Sequence, residues 1–320
     1  MIRIYTLPEY SQLKVASLKD IENFEEIAEN IAWVDLQDPS REEIQEIEDF
    51  YKISFPTKQQ QEEIETSSRY LENSGVIKIN STFINIRPGS GKIDENEISF
   101  IITKKTLFTL RYFDSRVMLE AVKKVKLFPS TFGNPSKIFL AILEARTDFD
   151  ADLMELISKY VVNINRKITY GRRLDEEMLL KINENQELTM SLREALFDKQ
   201  RVLSSLLRND DLMADSYNRL RIIIKDINSL IEHANFTFTR LEYLQSSFIG
   251  LLNIEQNKVI KTFTMVSLIF MPPTLIASIY GMNFRAMPEL DWDFGYPIAL
   301  LGMLISSVIP LAIFKKKKWL

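Results

Sequence analysis

The chain has 320 residues, 46% of them hydrophobic, with 40 Lys and Arg against 44 Asp and Glu, one histidine and no cysteine. That length supports one or two domains with a sizeable core, and the missing cysteines exclude disulfides, thiol catalysis and Cys/His zinc sites. The net charge of −4 hides an asymmetry: the balance is −8 before residue 257 and +4 from there on, and an acidic body argues against nucleic acid as a partner.

Residues 1–134 read as a cytosolic α/β domain. The opening Met1-Ile2-Arg3-Ile4-Tyr5 lacks the basic and apolar regions of a secretory signal, which predicts that this body stays where it is made. Residues 2–7 alternate like a strand. Ile31-Ala32-Trp33-Val34-Asp35-Leu36 has the composition of a buried strand and is closed by Asp38-Pro39. Ser40 and Glu43 are spaced as a capping box, and Ile44, Ile47, Phe50 and Tyr51 give the helix behind them an apolar face. Residues 75–80 and 82–87 read as a hairpin, the turn Pro88-Gly89-Ser90-Gly91 follows, and a second pair spans 98–103 and 106–112 around Lys104-Lys105. Gly89 and Gly91 match no phosphate-loop spacing.

Residues 135–256 read as long cytosolic helices, because no proline occurs between Pro135 and Pro272 and Leu, Ile, Lys and Glu dominate. Apolar positions recur by threes and fours at Ile138, Ile142, Ala145, Phe149, Leu153 and Leu156, with a break at Tyr170-Gly171-Arg172. A second helix follows Leu179, Ile182, Leu188, Leu192, Leu196 and Leu203 and turns near Asn209-Asp210-Asp211. The third carries Leu220, Ile223, Ile227, Leu230, Ala234, Leu241, Leu244, Phe248 and Leu251 near the coiled-coil period. Nothing but Gly250 interrupts it before the apolar segment that follows, which predicts one helix running from stalk into bilayer. Such a stripe is expected to need further copies of the chain to cover it. The lone His233 is expected to be a surface or packed residue and not a ligand.

The last stretch divides into a first transmembrane helix at 257–282, an extracytoplasmic loop at 283–295, a second transmembrane helix at 296–314 and a basic tail at 315–320. Residues 259–280 and 296–314 each meet the roughly 20-residue requirement for a spanning helix. Lys258 and Lys261 at the start of the first span, and Lys315, Lys316, Lys317 and Lys318 after the second, place both of these ends in the cytosol. The loop then faces outside, where Glu289, Asp291 and Asp293 outnumber Arg285 and attract cations. Asn257, Thr264, Ser267, Thr274 and Ser278 are separated by seven, three, seven and four residues, which sets them on one helix face together with Ile260 and Met271. A polar stripe in a span faces protein or water; small polar side chains at a helix contact and the lining of a pore are both open readings. Pro272-Pro273 loosens the helix.

Tyr280-Gly281-Met282-Asn283-Phe284 closes that Met- and Pro-containing apolar helix. Met287-Pro288-Glu289-Leu290, a second apolar helix and the lysine run follow. This arrangement resembles the CorA magnesium channel family, sharply over 257–320 and in general terms upstream. The resemblance implies an α+β cytosolic domain of mixed sheet and helices, then a long stalk helix and two transmembrane helices. It implies a multi-pass protein of the cell (inner) membrane, a homopentamer, that conducts magnesium, with cobalt and nickel as further candidate ions, without a cofactor or catalytic residue. In the family magnesium would also regulate the channel from inside, and Ser246, standing where the family often places a stalk aspartate, predicts weaker feedback here. Asn257, Met271 and Thr274 fall on family pore positions, and Phe263 falls where a bulky apolar residue narrows the pore with Met271. Gly281 permits unusual backbone, Met282 keeps the magnesium form of the motif, and Asn283 offers an uncharged amide oxygen to an ion recognised with its water shell. A zinc transporter of the same architecture and a membrane-anchored coiled-coil scaffold are the alternatives.

Overall fold

The computed structural model describes residues 1–7, 11–15, 27–62, 69–73, 75–86, 93–170, 176–208, 216–283 and 287–317. It falls into two compact units, Met1–Gln245 and Ser246–Leu320.

The first unit is built on a seven-stranded mixed sheet. In chain order its elements are β1 (Ile2–Thr6), β2 (Ser11–Val15), β3 (Ile31–Gln37), α1 (Arg41–Tyr51), α2 (Lys58–Glu62), β4 (Tyr70–Asn73), β5 (Val76–Ile86), β6 (Ile93–Ile102), β7 (Leu107–Arg111), α3 (Arg116–Leu127), α4 (Pro135–Tyr170) and α5 (Glu176–Leu206). The strand order is β2-β1-β3-β7-β6-β5-β4, with β3 and β7 parallel and every other pair antiparallel. Ser40 caps α1 as expected: Glu43 N–H donates to its hydroxyl, and the Glu43 carboxylate accepts from Ser40 N–H at 2.7 Å. Ile47 of α1 packs with Ile4, Val34, Leu36, Ile101, Phe108 and Leu110 on one face of the sheet. Side chains alternate along a strand, so Phe100 points the other way and meets Phe139 of α4 edge-on at 5.1 Å.

That second face carries a buried ion cluster. Asp35 accepts from Arg111 Nη2 (2.9 Å) and Nε (3.1 Å), Thr109 Oγ1 (2.8 Å) and Arg3 Nη1 (3.1 Å). Thr109 in turn accepts from the indole N–H of Trp33 at 3.1 Å. The charged side chains of Asp35 and Arg111 are each only 2% exposed.

Four expectations need correction. Residues 75–80 and 82–87 are not a hairpin but one strand, β5, paired residue by residue from Ile77–Ile102 to Ile86–Ile93. Ser81, taken as the turn, is buried opposite Ile98, while the backbone does turn at Gly75, whose φ is +77°. β2, α2, β4 and α3 have no counterpart among the elements expected from sequence. The buried face of α4 also differs from the expected stripe: Leu156 is exposed, while Arg146 and Asp150 are fully buried with Lys199 of α5 beside Asp150 (3.3 Å). Arg146 spans from Asp150 to the Ile84 carbonyl, which is how two charged side chains come to occupy core positions.

The fourth correction concerns the stalk. The third long helix, α6, runs unbroken over Tyr217–Tyr280, as expected. Its apolar stripe does not wait for other copies: Leu220, Ile223, Ile227, Ala234, Leu241 and Leu244 are buried within one chain. α5 lies along this stretch, joined to it by Gln245 Nε2 donating to Asn183 Oδ1 (3.0 Å), Arg193 to Asn235 (3.4 Å) and Gln200 to Asn228. His233 is exposed on the outer face. The turns expected at Pro88–Gly91, Gly171–Arg172 and Asn209–Asp211 lie outside the described residues.

Candidate functional site

Every residue singled out for the membrane chemistry lies in the second unit. That unit contains the rest of α6, a 3₁₀ turn at Pro288–Leu290 and α7 (Gly295–Lys316). Among the described residues, α6 and α7 are the two helices long and apolar enough to cross a membrane. The two pack through different kinds of surface. On α7 the shielded positions are Gly295, Ala299, Gly302, Met303, Ser306, Ser307, Pro310 and Phe314, and the small residues among them allow close helix approach. A side chain at Gly302 would touch Ile276 of α6 at 3.9 Å.

On α6 the less exposed positions are Met265, Ile269, Pro272, Pro273, Ile276 and Tyr280. At about 100° per residue they centre roughly 160° from the line through Asn257, Ile260, Thr264, Ser267, Met271, Thr274 and Ser278. All seven residues of that line are exposed. The polar stripe is thus not the contact with α7; it is the face turned away from it. Phe263, 70% exposed, sits on the flank of the line, and Met271 on the line is 65% exposed.

The two threonine hydroxyls of the stripe are already oriented. Thr264 Oγ1 donates to the Ile260 carbonyl (2.8 Å) and Thr274 Oγ1 to the Phe270 carbonyl (2.7 Å). With the proton held by the backbone, each oxygen presents lone pairs outward, the polarity that a cation's water requires. Pro272 and Pro273 have no N–H, so the carbonyls of Leu268 and Ile269 lose their helical donors while the helix continues.

The motif follows the last turn of this helix. Gly281 N–H closes on the Ala277 carbonyl (3.0 Å) and Met282 N–H on that of Ile279 (3.3 Å). Capping thus falls to these two amides, and Gly281, Met282 and Asn283 are all exposed. Gly281 does not take a left-handed backbone, and an added Cβ would make a tight contact, 3.2 Å from the Ala277 carbonyl oxygen.

Glu289, Asp291 and Asp293 are exposed in the connecting loop. Sequence reading passed over the residue that sets this loop. Gly295 N–H bonds the Trp292 carbonyl (2.8 Å), and any Cβ there would fall on the Glu289 carbonyl. Its only signal in the sequence was a glycine at the start of an apolar run. Lys315, Lys316 and Lys317 are exposed at the end of α7, and Lys318 lies outside the described residues. Within one chain the stripe is a line and not a cage. Among the described residues no three Asp, Glu or His side chains converge to hold a metal.

Comparison with known proteins agrees with this architecture. The sequence model of the family described as CorA-like Mg2+ transporter protein matches residues 28–316. The magnesium transport protein CorA of Wolinella succinogenes is 43% identical over 295 residues, covering 91% of this chain and 92% of that protein. The magnesium transport protein CorA of Campylobacter jejuni subsp. jejuni is 40% identical, covering 92% and 93%. Among solved structures, that of the CorA magnesium transporter from Methanocaldococcus jannaschii superposes with a TM-score of 0.78 at 19% identity, covering all of this chain and 98% of that one.

Proposed function

The chain belongs to the CorA-like Mg2+ transporter family, and on that premise we propose that it carries magnesium passively across the membrane, as a homo-oligomer whose copies surround a pore lined by the polar stripe of α6. A family of transporters assigns it no enzymatic reaction. The observation that carries the reading is the orientation of the stripe: seven residues left exposed on the face opposite the α7 contact. A line of oxygen-bearing side chains on a spanning helix is costly against lipid, and copies of the same line around an axis turn it into a wetted lining. Five copies is the number the family resemblance suggests.

In this arrangement Asn283 of each copy forms a ring at the outer mouth. Neutral amide oxygens accept hydrogen bonds from the water around a magnesium ion, which sheds that water reluctantly, and they release the ion sooner than carboxylates would. Glu289, Asp291 and Asp293 raise the local cation concentration outside. Rings of Phe263 and Met271 close the path when it dewets. The lysines at 258 and 261 and at 315–318 support cytosolic termini, with the protein in the inner membrane, and magnesium on the cytosolic side feeds back on the gate only weakly, because Ser246 offers no carboxylate on the stalk. The test is ion flux into liposomes holding the purified protein, with magnesium, cobalt, nickel and zinc in competition. Magnesium flux that the others compete for is the expected result. Zinc flux without magnesium flux would move the chain to the zinc branch, and no divalent flux at all would leave an anchored scaffold.

A further inference from the structure

In the unit Met1–Gln245, a cavity of about 830 Å3 opens between strands β5 and β6 and helices α2 and α5. Two residues of its lining, Arg69 and Asp198, each keep a buried polar atom, Nε and Oδ2, with no hydrogen-bond partner among the described residues. Arg69 is 8% exposed. Its Nη1 is engaged by Glu97 (2.7 Å) and by the Gln61 carbonyl (3.4 Å), and its Nε stands 3.6 Å from Asp198 Oδ1. A buried donor or acceptor left unmet bears its full desolvation cost. A bound group with an acceptor and a donor on adjacent atoms, drawing these two side chains toward the cavity, would satisfy both. Burial pushes the Asp198 carboxyl above its usual range, against the pull of Arg69, Lys199 and Arg201.

The rest of the lining narrows the occupant. Phe113 and Phe197 present partly exposed rings. Lys58 and Arg201 supply cationic groups outside any ion pair with a described residue, and Glu95 and Glu194 supply carboxylates in the same condition. A free polyanion would meet the two carboxylates, and a bare cation would meet the lysine and arginines. A metal complex of a polyphosphate suits both: its phosphates pair with the cations, and the water on its magnesium donates to the carboxylates. A nucleobase adds the adjacent acceptor and donor edge for Arg69 and Asp198 and a flat face for the phenylalanines. The volume lies within the ordinary range for small-molecule sites. From these groups together we propose that the cavity binds a nucleoside polyphosphate as its magnesium complex.

The test is calorimetric titration of the full-length protein in detergent with ATP plus magnesium, ATP with a chelator, magnesium alone, and pyrophosphate plus magnesium. ATP plus magnesium is expected to saturate the site, and the other three to bind at least about tenfold more weakly. Lys58→Ala/Arg201→Ala, at a rim open to solvent, and Asp198→Asn, which keeps the side-chain volume, should each weaken binding at least about tenfold with the melting temperature retained. If Asp198→Asn fails to fold, the rim variant alone decides. Three results each overturn the proposal: no saturation by about 10 mM, equal binding of pyrophosphate, or binding unchanged in the rim variant. Binding is read without any flux measurement, so its failure leaves the transport reading untouched.

Discussion

Asp35→Ala tests whether the sheet of the first unit depends on its buried ion cluster. Asp35 is the common acceptor for Arg111, Arg3 and Thr109, and its side chain and that of Arg111 are 2% exposed. Arg3, at 18% exposure, keeps access to water after the substitution, but Arg111 does not. Its remaining partners are the Phe113 carbonyl (2.6 Å) and Gln37 Oε1 (3.0 Å), which carry no charge, and the Asp114 carboxylate at 3.9 Å, which is 78% exposed and therefore screened by water. Removing one member of a buried ion pair costs about 3–5 kcal/mol, because the other charge stays behind. For a unit of this size roughly 2–4 °C of melting temperature follows each kcal/mol, so a fall of about 6–20 °C is expected. Thermal unfolding of the detergent-solubilised protein measures it. Trp33 makes a local reporter, since its indole N–H bonds Thr109 within the same cluster; replacing Trp292 and Trp319 by Phe isolates its emission. Asp35→Leu/Arg111→Met removes both charges and should recover most of the loss. A fall under about 2 °C, the response expected of an exposed pair, would refute the burial of the cluster, and so would a double variant no better than the single one.

The other predictions follow from the membrane unit and from α4. Asn283→Ala should abolish magnesium flux while the oligomer survives in mild detergent; normal flux in an assembled variant would remove Asn283 from ion recognition. Met271→Ser or Phe263→Ala should raise basal flux, and if neither conducts better than wild type the constriction lies elsewhere. Single cysteines at Ser11, Ala286 and Leu320 in this cysteine-free chain should leave only position 286 reactive to an impermeant thiol reagent in intact cells, and labelling at position 11 would overturn the topology. Burial works to raise the Glu144 carboxyl, but hydrogen bonds from Arg219 and Lys124 outweigh it and hold it below the usual 4.5. That stabilisation is therefore present above 4.5 and disappears as pH falls through the lowered value. The melting-temperature gap between wild type and Glu144→Gln should narrow on that descent, and a gap constant with pH would show that Glu144 acts by packing alone.

The sheet was legible where burial is complete and opaque where it is mixed. β3 and β7 are apolar runs, and such runs mark strands covered on both faces. β5 defeated the reading because Asn80, Ser81 and Thr82 look like a turn. Ser81 and Asn80 are buried instead, with Asn80 Oδ1 accepting from Ser99 Oγ at 2.6 Å. The partner that makes a polar residue acceptable inside a strand sits on another strand, where local pattern does not reach. The same holds for Arg146 and Asp150, which became core residues through Ile84 and Lys199, both distant in sequence.

The stripe on α6 was legible as a line, because 3.6-residue periodicity is a local property. Spacing alone left two destinations for it, a helix contact or water. What separates them is the identity of the surface on α7. Gly295, Ala299, Gly302 and Ser306 make that helix a close-packing partner, and the α6 residues turned toward it are Met265, Ile269, Ile276 and the two prolines. Those side chains fill the contact by themselves, so the threonines and serines of the opposite face have no helix of their own chain to meet. A polar line that folding does not use must be satisfied by water or by another copy. Both are supplied at once when copies close around an axis, which is why the exposed face of α6, more than the motif at its end, makes assembly a requirement of the membrane unit under the transport reading.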